Sequence, residues 1–120
     1  MLINLTNHPS CKWDQKQTET AERQYGEIVD IPFPIIMPEA NETQVNTLVD
    51  ECIEKINKIG KGRSFTVHVM GEMTFTVSMV KRLQAEGVTC IASTTERKVT
   101  ELTDGKRVTQ FNFVQFRRYM

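Results

Sequence analysis

The sequence predicts an α/β fold, with a parallel sheet of four strands in the order 2-1-3-4, three packed helices and a C-terminal antiparallel hairpin. Short apolar runs alternate with segments of helical periodicity from residue 2 to residue 92. The pattern changes after residue 97, where two strand-like runs flank Asp104-Gly105, a short-range hairpin signal. The chain has 120 residues and no linker or repeat, so we expect one domain over residues 1–120.

The first half of the chain contains two predicted strands and two predicted helices. Strand one covers residues 2–6, and a helix is predicted from about residue 12 to residue 25 with Ser10 as its N-cap. Strand two covers residues 28–33 and leads into a proline-bounded loop. Apolar residues at three- and four-residue spacing over residues 45–59 predict the second helix, with a broad stripe for packing on a sheet.

The second half repeats the alternation and then adds the hairpin. In chain order, its predicted elements are strand three over residues 64–70, a third helix over residues 74–85, strand four over residues 88–92, and hairpin strands over residues 97–102 and 107–116. Strand four is predicted to end in a polar turn, Ser93-Thr94-Thr95-Glu96-Arg97.

Charge and cysteine content exclude several classes of function. Fifteen basic residues balance fifteen acidic ones, which does not favour binding to duplex nucleic acid or to an anionic membrane. The three cysteines stand at wide, odd spacing that gives neither a disulfide framework nor a zinc signature, and we expect no metal and no cofactor. No apolar stretch is long enough to span a bilayer, and no secretion signal is recognisable. We therefore expect a reduced, soluble, cytoplasmic protein.

Two polar turns carry the candidate site, because each directly follows a predicted buried strand. The first is Asn7-His8-Pro9-Ser10 and the second is Gly71-Glu72-Met73-Thr74. In an open α/β sheet, the carboxyl ends of neighbouring strands flank the crevice in which ligands bind. The polar stretch 93–97 is expected to close the third side of this crevice. The sequence therefore predicts a ligand site at this edge of the sheet.

The residue types in the two turns suggest their chemistry. Histidine gains and loses a proton near neutral pH, so His8 is a candidate for proton transfer, and a turn histidine bonded to a neighbouring carbonyl is the alternative. Gly71 would allow a ligand to approach the backbone, and Thr74 offers a hydroxyl at the helix start. Glu72 could accept a hydrogen bond from a ribose hydroxyl or an adenine amine. Ser10 is favoured as an N-cap over a nucleophile.

The third side of the crevice offers groups that bind phosphate oxygens. Ser93, Thr94 and Thr95 supply hydroxyls, and Arg97 supplies a guanidinium. The alternative is a polar turn with a surface ion pair between Glu96 and Arg97.

Together these stretches resemble those of the small CRISPR-associated ring nucleases, compact relatives of CARF domains that bind, and often cleave, cyclic oligoadenylates. The resemblance rests on Asn7-His8-Pro9-Ser10 with Trp13 and Gln17 behind it, Met70–Thr74, Ala92–Arg97 and Phe113–Tyr119. It implies a Rossmann-like, CARF-like three-layer sandwich and a homodimer with the cyclic ligand across the two-fold axis. In this group we associate the first turn with Ser-His and the middle turn with Gly-Asp-Phe-Gly, whereas here Asn7 precedes the histidine and Glu72-Met73 replace Asp-Phe.

The resemblance also implies an activity. Cyclic oligoadenylate, expected to be cyclic tetra-adenylate, would be cleaved without a metal by attack of a ribose 2′-hydroxyl on the adjacent phosphate, which would switch off type III CRISPR signalling. The expected catalytic residues are His8 and Glu72. The expected ligand-binding residues are Asn7, Ser10, Gly71, Met73, Thr74, Ser93, Thr94, Thr95 and Arg97. Two alternatives stay open, a non-catalytic module that sequesters the same ligand and a flavodoxin-like domain for another phosphorylated metabolite.

Overall fold

A computed structural model describes all residues from 1 to 120 as five strands and three α-helices. The elements, in chain order, are β1 (Leu2–Thr6), α1 (Gln15–Tyr25), β2 (Ile28–Asp30), α2 (Glu42–Gly60), β3 (Thr66–Met70), α3 (Met73–Ala85), β4 (Thr89–Glu101) and β5 (Arg107–Arg118). One turn of 3-10 helix, Ser10–Lys12, precedes α1.

The strands form a single sheet in the order β2-β1-β3-β4-β5. The first four strands are parallel to their neighbours, and β5 is antiparallel to β4. Parallel neighbours need crossover connections, and the helices that make them cover both faces of the sheet. The molecule is therefore a Rossmann-like three-layer sandwich, which confirms the predicted fold class, strand order and antiparallel hairpin.

Each face of the sheet has its own hydrophobic core, because side chains alternate along a strand. On one face, Ile3 and Leu5 pack with the apolar residues of α2 and α3. On the other face, Leu2 packs with Trp13 and with Ala21 of α1. We call these the α2/α3 face and the α1 face. All five residues of β1 are buried, as expected for a strand that is covered on both sides. None of the three helices has the length and apolar character needed to cross a bilayer.

Helix α1 begins later than the sequence predicts, and Ser10 is not its N-cap. The cap is Asp14, whose Oδ1 accepts a hydrogen bond from the backbone N–H of Gln17 at 2.7 Å. Trp13 has extended backbone angles, φ −69° and ψ 151°, and is buried against the sheet. This extended residue separates the 3-10 turn from the helix, and the next side chain is a better placed capping carboxylate.

The end of strand β4 also differs from the prediction. The stretch Ser93–Arg97 is not a turn but the middle of a continuous strand that pairs with β5 as far as Glu101. One β-bulge interrupts the pairing, because Val114 is inserted opposite the step from Thr94 to Thr95. The hydrogen bonds of β5 keep this polar segment extended. Polar side chains are tolerated because the ribbon is exposed from residue 95 to residue 112.

Candidate functional site

The carboxyl ends of β1 and β2 open on a cleft of about 320 Å³. Asn4, Thr6, Asn7 and Asp30 supply its polar lining, and the segment 31–33 forms the opposite wall. A cleft of this size lies at the lower end of the range for ligand pockets. Within the chain, no group of three or more His, Cys, Asp or Glu side chains is arranged to hold a metal ion.

A row of hydrogen-bonded polar side chains crosses the α1 face of the sheet below the cleft. Asp30, Asn4 and His68 are register partners on three neighbouring strands. Nδ2 of Asn4 donates to Oδ1 of Asp30 at 2.8 Å, so Oδ1 of Asn4 is the acceptor that faces Nδ1 of His68 at 2.9 Å. Because an amide oxygen only accepts, Nδ1 of His68 must carry the hydrogen.

Asp30 also holds the loop that follows β1. The hydroxyl of Ser10 donates to Oδ2 of Asp30 at 2.6 Å, and the backbone N–H of Ser10 donates to Oδ1 at 3.1 Å. Desolvation acts to raise the pKa of Asp30, but hydrogen bonds from Ser10 and Asn4 outweigh it and lower the pKa below its ordinary value. Asp30 is therefore an ionised carboxylate that anchors the loop.

His68 is buried, and one of its nitrogens has no hydrogen-bond partner. The residue is 1% exposed, and its ring centroid lies 5.6 Å from that of Trp13 and 5.4 Å from that of Phe116. Its Nε2 atom is the one without a partner. Burial, followed by the nearby charge of His8, lowers the pKa of His68 to about 4. His68 is therefore a neutral packing residue at physiological pH.

The loop fixes the backbone of His8 while the imidazole stays free. The carbonyl oxygen of His8 accepts from Nε1 of Trp13 at 2.9 Å and from Nδ2 of Asn4 at 3.1 Å. The backbone N–H of His8 donates to Oγ1 of Thr6 at 3.1 Å. The imidazole is exposed and bonds no neighbouring carbonyl. His8 itself does not line the cleft, but it lies between Asn7 and Pro9, which do.

Glu72 caps helix α3. Its carboxylate accepts from the backbone N–H of Thr74 at 3.0 Å and of Phe75 at 2.9 Å, and from the hydroxyl of Thr74 at 2.8 Å. These bonds, with that from the Thr74 hydroxyl foremost, lower the pKa of Glu72. The negative charge occupies the helix N-terminus, where a phosphate would otherwise be attracted. Glu72 and Thr74 are therefore hydrogen-bonded to each other within the helix cap.

The other residues of the second turn have different environments. A β-carbon at Gly71 would overlap the ring of Phe33, so packing of that ring requires the glycine. Phe33 in turn lies edge-on to Phe75, with ring centroids 5.0 Å apart. The side chain of Met73 is 80% exposed at the start of α3.

The four predicted ligand-binding residues of β4 fall into two groups. Oγ of Ser93 lies 3.1 Å from Sδ of Met70, and Oγ1 of Thr94 donates to the carbonyl oxygen of Gln115 at 3.2 Å, so these hydroxyls are bonded within the fold. Thr95 and Arg97 are exposed. Arg97 stands four residues beyond Ser93, about 13 Å along the strand, and overhangs the edge of the sheet.

Sequence reasoning missed Asn4 and Asp30 as residues of the site. Asn4 is the one amide within an apolar strand, and Asp30 directly precedes a proline-bounded loop. A buried polar residue inside a strand needs a partner, which is a usable signal. The identity of that partner depends on strand register, which the sequence does not show.

The chain matches the model of a known protein family. The family described as "Uncharacterized protein MJ1673 family" matches residues 1–117. This range includes all three helices and all five strands, apart from the last residue of β5. No curated protein and no solved structure matches the chain.

Proposed function

The chain belongs to the uncharacterized protein MJ1673 family, and we propose that it binds a cyclic oligoadenylate at the carboxyl edge of its sheet and opens the ring without a metal ion. The observation that carries the proposal is the free, exposed imidazole of His8 on a turn whose backbone is held by hydrogen bonds. Parallel α/β sheets bind ligands at this edge. The ligand class comes from the resemblance of the turns to those of CRISPR-associated ring nucleases.

The proposed reaction uses a nucleophile that RNA itself carries. The 2′-oxygen of one ribose forms a bond to the adjacent phosphorus, and the bond from phosphorus to the 5′-oxygen breaks. The proton of the 2′-hydroxyl passes to a base, and the 5′-oxygen gains a proton. The product is a linear oligoadenylate with a 2′,3′-cyclic phosphate and a 5′-hydroxyl. His8 supplies proton transfer, Arg97 offsets phosphate charge, and the loop aligns the attacking oxygen.

The size of the cleft supports a symmetric dimer as part of this proposal. A volume of about 320 Å³ accommodates one nucleotide rather than a whole cyclic tetra-adenylate. Two clefts related by a two-fold axis would take two opposite nucleotides of a two-fold-symmetric ring, and such an axis makes an isologous interface. The role in switching off type III CRISPR signalling follows from the same resemblance.

One observation favours a second candidate, a non-catalytic module that sequesters the ligand. The three hydrogen bonds on the carboxylate of Glu72 keep it in the helix cap. The resemblance pairs His8 with Glu72 in catalysis, and this bonding leaves His8 without that carboxylate as a free acid or base. Binding does not need this carboxylate as an acid or base, so the chain could bind the ligand without cleaving it.

The test is incubation with cyclic tri-, tetra- and hexa-adenylate in the presence of a chelator, followed by chromatography of the products and a binding assay. We expect linear products with a 2′,3′-cyclic phosphate, and a loss of about 10²–10⁴-fold in rate for His8→Ala with binding retained. Cys11→Ala, an exposed change in the adjoining 3-10 turn, is the matched control and should cleave normally.

Three outcomes separate the candidates. Cleavage that His8→Ala leaves unchanged would refute the proposed mechanism. Tight binding without turnover by the unmodified chain would establish the sequestering module. A chain that binds no cyclic adenylate but is stabilised against heat by another phosphorylated metabolite would overturn the proposal in favour of the flavodoxin-like alternative.

A further inference from the structure

A two-stranded arm projects from the carboxyl edge of the sheet. It comprises the segment Glu96–Asn112, and every residue in it is exposed. β3 pairs with β4 only as far as Ile91, so within the arm β4 and β5 pair only with each other. The molecule is 52 Å long in its longest direction and 25 Å in its shortest. A two-stranded ribbon that packs against nothing is marginally stable in water, which indicates that the arm has a packing partner.

Exposed apolar side chains are concentrated on this arm and on the edge beside it. Nine of the ten large apolar residues that are exposed lie there, with exposed fractions between 40% and 84%. The arm and its base carry Val99, Leu102, Val108, Phe111 and Val114. The loop after β2 and the first turns of α3 carry Ile35, Met37, Met73 and Val77. The tenth is Met120, which follows the end of β5 at the opposite edge of the sheet.

Val99 and Phe111 of the arm belong to the opposite face of the sheet from Met73 and Val77. Phe111 shares a strand face with Phe113, which packs on the α1 face 4.8 Å from Phe116 and donates its N–H to Asp14. Met73 and Val77 belong to α3, on the other face, where they border a groove of about 590 Å³. One chain cannot bring these surfaces together while its arm stays in the sheet. A second copy related by a two-fold axis can.

We propose that the arm of each copy docks across the carboxyl edge of the other, against Met73 and Val77, and carries Arg97 to the partner's cleft. The six residues from Glu96 to Glu101 span about 17 Å, whereas the four parallel strands span about 14 Å at a spacing of about 4.8 Å. The arm is therefore long enough to cross the edge. A stable interface buries about 800 Å² on each partner, and the nine exposed apolar side chains supply the apolar part of such an area.

This inference rests on the symmetric dimer of the proposed function and names the contact that forms it. Sedimentation velocity of the whole chain at micromolar concentration, without ligand, tests it with three single variants. We expect the unmodified chain and Met120→Glu to be dimers, because Met120 lies outside the docking surface. Phe111→Glu on the arm and Met73→Glu on the edge should be monomers. Far-UV circular dichroism should show the same helix content in all four proteins.

A shortened arm provides a second, independent variant. Residues 99–109 are replaced by Asn-Gly, which closes a two-residue hairpin between the paired residues Lys98 and Gln110. This chain should be a folded monomer. A monomeric unmodified chain, or a shortened-arm variant that stays dimeric, would overturn arm docking.

The two proposals can fail separately. If the unmodified chain is a dimer through its arm but binds no cyclic oligoadenylate, only the proposed function fails. If the chain cleaves cyclic tetra-adenylate and the shortened-arm variant is still a dimer, only arm docking fails.

Discussion

Stability should fall when the pH is lowered from 7.5 to 5, and His68 should be the main cause. The pKa of His68 is about 4 in the folded chain, against an ordinary value of 6.5, because the residue is buried and lies near His8. As the pH falls below 6.5, the unfolded chain takes up a proton that the folded chain still excludes. The stabilisation is therefore complete above pH 6.5 and is lost as the pH falls toward 4. The whole difference corresponds to about 3 kcal/mol, of which about 2 kcal/mol is lost by pH 5.

Urea unfolding at a series of pH values measures this loss. His68→Asn keeps a donor for Oδ1 of Asn4 but does not titrate in this range, so its free energy of unfolding should vary little between pH 7.5 and 5. Comparison within each protein removes the separate cost of the cavity that the smaller side chain leaves. His8→Ala is the control and should keep most of the pH dependence, because its imidazole is exposed. An unchanged pH dependence in His68→Asn would refute the reasoning.

Two further predictions concern the turn before α3. Gly71→Ala should lower the free energy of unfolding by about 1–3 kcal/mol, because the added methyl overlaps the ring of Phe33. Phe33→Leu in the same chain should recover part of this loss in urea unfolding, and an additive loss would contradict the explanation. Glu72→Ala should lower the melting temperature, because the N–H groups of Thr74 and Phe75 lose their acceptor. An unchanged melting temperature would show that the cap contributes nothing.

The fold was predictable because its buried elements have clear apolar periodicity. Strands β1 and β3 are short apolar runs, and the stripe of α2 places Val45, Val49 and Ile56 in the core. Asp104-Gly105 correctly indicated the hairpin. The spacing of apolar residues in a sequence indicates which side chains are buried. Elements that are buried on one or two faces were therefore predicted within a few residues of their observed bounds.

The two wrong predictions concern local structure that the spacing of apolar residues does not indicate. The segment 93–97 was predicted as a turn because it is polar, but an exposed ribbon is polar as well, and pairing with β5 keeps it extended. Ser10 was predicted as the N-cap because it precedes the helix, but the extended, buried Trp13 delays the helix to Gln15, and Asp14 is its N-cap. Both outcomes depend on contacts with distant parts of the chain.

The positions of the two turns at the strand ends were predictable, but their hydrogen bonds were not. The cleft lies at the ends of β1 and β2 and is lined by no residue of the second turn or of the segment 93–97. The turns at His8 and Glu72 do follow parallel strands that are direct neighbours. The network of Asp30, Asn4 and His68 joins residues 26 and 64 positions apart, and a shift of one residue in register would turn these side chains to the other face. The sequence therefore could not show that Asp30 holds Ser10.

The most direct test of the central proposal is calorimetric titration of the chain with cyclic tetra-adenylate, with the linear tetra-adenylate as the matched ligand. We expect binding with one ring for every two chains and weaker binding of the linear form, because only the ring presents the same face to both clefts. Absence of binding, or one ring per chain with equal affinity for the linear form, would contradict the proposed site.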